Sequence, residues 1–133
     1  MRRLELVAIS ASVVTAVLYV LVGFEVLYVG ESTSGTDPGL LGFGLSAAAV
    51  FFASAGLLAM VERRWAWIAV ALLNAVVIVG YFAMAGVREP PFEWPGLAIK
   101  ALQLITLVAV VALALPDRSV ARPRMGAHPR PIG

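Results

Sequence analysis

Residues 90–115, PPFEWPGLAIKALQLITLVAVVALAL, contain a conflict. From Trp94 to Leu115 the run is apolar over the roughly 20 residues that a membrane-crossing helix needs. Yet Lys100 stands inside it, with Gln103 one turn further on. An ionisable side chain within such a run is costly in hydrocarbon, and it marks either a polar site or a contact that fixes helix order.

Three more runs match this one: Leu4 to Val29, Gly39 to Val61 and Trp65 to Val87. Between them lie GESTSGTDP, ERR and REPPFE, rich in turn formers and charge. The fold expected is an all-α integral membrane protein, with four transmembrane helices in an antiparallel bundle over residues 1–116. Residues 117–133, DRSVARPRMGAHPRPIG, have no apolar periodicity and read as a disordered basic tail. Composition agrees with lipid as the solvent. Hydrophobic residues make up 61% and charged residues 14%, too apolar for a small water-soluble domain.

Arginine placement gives a direction. Arg2, Arg3, Arg63, Arg64, Arg118, Arg122, Arg124 and Arg130 all fall on one side of a four-span chain. The other side carries Arg88 beside Glu31, Asp37, Glu89 and Glu93. Both termini are therefore expected in the cytoplasm of a multi-pass cell-membrane protein. The apolar stretch after MRR continues through Val29 without a small-residue cleavage site, so it reads as a retained span rather than a signal peptide.

Several chemistries are not indicated. The chain has no cysteine, and its one histidine, His128, lies in the tail. No disulfide, thiol or metal-ligand set is present, and no cofactor is expected. No nucleophile-and-base set or phosphate loop appears, so the expectation is a non-enzyme. No nucleic-acid-binding module accompanies the basic residues.

Helices in lipid approach through small residues. The second run offers Gly39, Gly42, Ser46, Ala49, Ala53 and Gly56 at spacings of three and four, and the first a weaker stripe of Ala8, Ser12, Thr15, Tyr19 and Gly23. Both are expected to be packing surfaces. Trp65, Trp67 and Trp94 fall at run ends, where indole rings anchor in the headgroup layer.

Depth then relates Lys100 to Glu25. At 1.5 Å per residue Glu25 lies about 7 Å, and Lys100 about 9 Å, inside the same edge. Pairing would offset part of the cost of each charge. Gln103 continues the Lys100 stripe, while Asn74, Tyr81 and Arg88 recur every seven residues on the third run. The expected site is an outward-facing polar pocket of Glu25, Lys100, Gln103 and Tyr81, with Asn74 as its floor. A structural account stands beside it: Lys100 snorkels to the interface, or Glu25 and Lys100 only fix helix order.

Two functions follow. The first is a structural or accessory subunit, with the bilayer around it and a second copy or larger membrane complex against its stripes. The alternative is a small transporter or ligand-binding protein using Glu25 and Lys100. An acid in the first of four spans of so short a chain resembles the architecture of the small multidrug resistance exporters. That resemblance ends at architecture, because Lys100 would neutralise Glu25 toward a cationic cargo.

Overall fold

The structure, a computed structural model, describes residues 2–27, 38–85 and 93–115. It is all-helical: α1 Arg2–Gly23, α2 Pro38–Met60, α3 Arg64–Ala85 and α4 Trp94–Ala114. All four are long and apolar enough to cross a membrane. The basic tail and the segments holding Tyr28, Glu31, Asp37, Arg88 and Glu89 lie outside the described residues.

Local chemistry explains the boundaries. α2 starts at Pro38 and α4 carries Pro95 in its first turn, where the missing N–H is harmless. The α2–α3 link is only residues 61–63, with Ala66 N–H donating to Arg63 O at 2.9 Å to open α3. So short a link makes neighbours antiparallel.

The first helix departs from expectation. Its apolar run continues to Val29, but the helix stops at Gly23. Val26 N–H donates to Leu21 O at 2.9 Å and Glu25 N–H to Val22 O at 3.0 Å. That six-to-one and five-to-two pair is a Schellman cap. Glu25 holds its left-handed position with φ 58°, where glycine is the usual residue. Glu25 is thus part of the closing turn, not a helical residue one to two turns inside.

The helices form a ring in which α1 packs on α2 and α4, and α3 packs on α4; the seam between α2 and α3 is slight. Two apolar clusters stack along the ring. One holds Ala16, Tyr19, Val22, Ala48, Phe51 and Ile99; the other holds Ala8, Leu58, Val70, Ala109 and Val110. Large apolar side chains also cover the outside, among them Leu72, Val76 and Val79 on α3 and Leu104 and Val108 on α4.

The two small-residue stripes have different fates. The weaker one on α1 is buried throughout: Ala8, Ser12, Thr15, Tyr19 and Gly23. On α2 the inward face is instead Gly44, Ala48, Phe51, Ser54, Ala55 and Leu58. Its richer stripe faces outward, with Gly39, Gly42, Ser46, Ala49 and Ala53 exposed and Gly56 half-buried. A Cβ added to Gly42 or Gly56 would meet nothing within 4 Å.

Candidate functional site

Lys100 projects inward from α4 and is only 6% exposed. Its Nζ donates to Tyr19 Oη on α1 at 3.1 Å and to Gln103 Oε1 at 2.7 Å. Gln103 Nε2 donates to the same Tyr19 oxygen at 3.2 Å. Lysine and glutamine, three residues apart on one helix, thus converge on one phenol of another. The ammonium also lies 5.8 Å from the Tyr19 ring centroid and 5.0 Å from that of Tyr81, within the range of cation–π attraction.

The neighbours hold these rings in place. Tyr19 stacks on Phe51 of α2, with centroids 5.6 Å apart. Gly96, one turn before Lys100, makes room for Tyr81, since a Cβ there would lie 2.5 Å from the Tyr81 hydroxyl. These contacts of the Lys100 ammonium are all to neutral groups.

The expected residues divide accordingly. Lys100, Gln103 and Tyr81 come together. Glu25 sits half-buried in the turn that caps α1, with φ 58°. Asn74 is fully buried on α3, donating Nδ2 to Val70 O at 2.8 Å. Tyr19 is the member of the cluster that the expected pocket omitted. Its place on the α1 stripe was the available signal, as it is the one long hydrogen-bonding side chain there.

Beyond this cluster, each helix contributes a buried polar side chain between its members of the two apolar clusters. These are Ser12 and Thr15 on α1, Ser54 on α2, Asn74 on α3 and Thr106 on α4. Ser54 and Thr106 donate to the carbonyls four residues back, Val50 O at 2.9 Å and Leu102 O at 3.1 Å, which satisfies a helix-borne hydroxyl locally. Ser12 Oγ, Thr15 Oγ1 and Asn74 Oδ1 are buried without a hydrogen-bond partner among the described residues. The interior is polar midway and the exterior apolar, the reverse of a protein that faces water.

No family model, no curated protein and no solved structure matches the chain.

Proposed function

We propose that the chain is a four-span protein of the cell membrane, both termini cytoplasmic, acting as a non-catalytic accessory subunit that packs against another membrane helix through α2. The lipid environment is supported by the apolar outer surfaces and by the polar groups turned inward. In water that distribution would be unfavourable, whereas in hydrocarbon the exposed leucines and valines are solvated and the polar side chains find one another. The cytoplasmic termini are supported by the arginine asymmetry.

One observation carries the accessory role: α2 turns its small-residue stripe away from the bundle. Helix association in lipid depends on close backbone approach, and glycine, alanine and serine at three- and four-residue spacing permit it. α1 already occupies the other side of α2 through Gly44 and Ala48. The outward stripe is thus left to a second copy or to another membrane protein.

Ala53→Cys tests this, because the chain has no other cysteine. Labelled with a thiol-reactive photocrosslinker and illuminated in native membranes, it should give a covalent product, whose mass separates a dimer of this chain from a mixed complex. Absence of any product at Ala53 and likewise at Ala49→Cys removes the role. The second function, ligand binding, draws its support from the interior around Lys100 rather than from α2.

A further inference from the structure

Two arginine pairs lie at one end of the bundle. Ala8 of α1, Leu58 of α2, Val70 of α3 and Val110 of α4 belong to one apolar cluster. Arg2 and Arg3 precede Ala8 on α1, while Arg63 and Arg64 fall between Leu58 and Val70, where the α2–α3 link meets α3. Both pairs are thus carried at the end of the bundle that this cluster fills, and all four side chains are exposed. The chain leaving α4 at the same end adds four more arginines and one acid, Asp117.

Each pair adjoins large apolar side chains that are themselves exposed. Leu4 and Leu6 follow the first pair on α1, and Met60 and Trp65 flank the second. Cation and hydrocarbon surface are therefore presented side by side, twice, by separate parts of the chain. The partner that fits carries an anionic group directly against an apolar body. An acidic peptide or an RNA would meet the arginines and leave the leucines and Trp65 unanswered. A phospholipid meets both, because its phosphate sits over its own acyl chains. Guanidinium suits that phosphate, since its planar fork donates two parallel hydrogen bonds. Trp65 suits the same level, where indole rings favour the headgroup layer.

Net charge then discriminates among phospholipids. A zwitterionic headgroup offers these arginines a phosphate but also a cation, whereas an anionic one offers the phosphate alone. Each arginine near an anionic membrane surface favours binding by about fivefold.

We propose that the arginine-bearing end of the bundle retains anionic phospholipid, seated at Arg63 and Arg64 beside Met60 and Trp65, and at Arg2 and Arg3 beside Leu4 and Leu6. This rests on the membrane placement proposed above and is independent of what docks on α2. It also asks more of the arginines than orientation does. Setting the direction of insertion needs only their charge, whereas a retained lipid needs them exposed beside apolar surface in the folded bundle.

The test mixes the purified whole chain, in mild detergent, with equimolar phosphatidylglycerol and phosphatidylcholine of identical acyl chains. Native mass spectrometry counts the lipids retained. Phosphatidylglycerol should be in excess, and Arg63→Gln with Arg64→Gln should cut that excess about tenfold while leaving retained phosphatidylcholine unchanged. Inorganic phosphate at equal ionic strength should not displace the lipid; displacement would make a free anion the ligand and overturn the proposal. Equal retention of the two lipids overturns it and leaves the membrane placement standing. An excess that survives with all four arginines changed to glutamine overturns it too. Retention of neither lipid overturns the membrane placement itself, and this proposal with it.

Discussion

Gly23 on α1 and Gly44 on α2 meet backbone to backbone: a Cβ on Gly44 would lie 2.5 Å from Gly23 Cα and 2.6 Å from the Tyr19 carbonyl oxygen. Neither obstacle is a flexible side chain that could move aside. This contact sets how closely α1 and α2 approach, and so where Tyr19 is delivered to Lys100.

Gly44→Ala should therefore separate the helices and destabilise the protein by about 1–3 kcal/mol, the usual range for overpacking. Gly42→Ala, two residues away and facing open space, should leave the isolated protein unchanged or slightly more stable. Unfolding of both variants in mild detergent checks the contrast. Equal losses would mean that α1 does not sit where described.

Tyr19→Phe leaves a Lys100 hydrogen and a Gln103 hydrogen without their acceptor, which should cost about 1–3 kcal/mol. Lys100→Met should also destabilise, since Gln103 Oε1 loses its 2.7 Å donor. The double variant should lose less than the sum, because the two side chains share one network. Strict additivity in a double-mutant cycle would show the ammonium reaching outward instead of inward.

Glu25 occupies the one left-handed position recorded for a non-glycine residue among the described residues. Glu25→Gly should relieve about 1 kcal/mol of backbone strain at the Schellman cap. Glu25→Val, β-branched, should do the opposite and fray the end of α1. Thermal midpoints measured side by side decide it; a destabilised glycine variant would mean that the carboxylate's own contacts outweigh the strain.

How legible all this was differs from helix to helix. The four helices were plain because long apolar runs bounded by GESTSGTDP, ERR and REPPFE admit few alternatives. α2, α3 and α4 overlie three of the expected runs. The polar face of α4 was equally readable, since Gly96, Lys100 and Gln103 recur at three and four. The end of α1 was not: EVLYV stays apolar to Val29, and no glycine marks the cap that Glu25 fills. The inward side of α2 was not readable either. Both of its faces carry small residues, and only Tyr19, which needs Phe51 beneath its ring, selects one of them. Tyr19 itself reads in sequence as part of a packing stripe, because nothing in the sequence of one helix says which side chain of another it will meet.

The central claim is that hydrocarbon surrounds the bundle, with the arginine-bearing ends inside the cell. Since the chain has no cysteine, single substitutions report on it cleanly. A membrane-impermeant maleimide should label Ser34→Cys in intact cells, and should label Glu62→Cys only after the membrane is opened. The reverse pattern, or equal labelling of both in intact cells, would contradict the account.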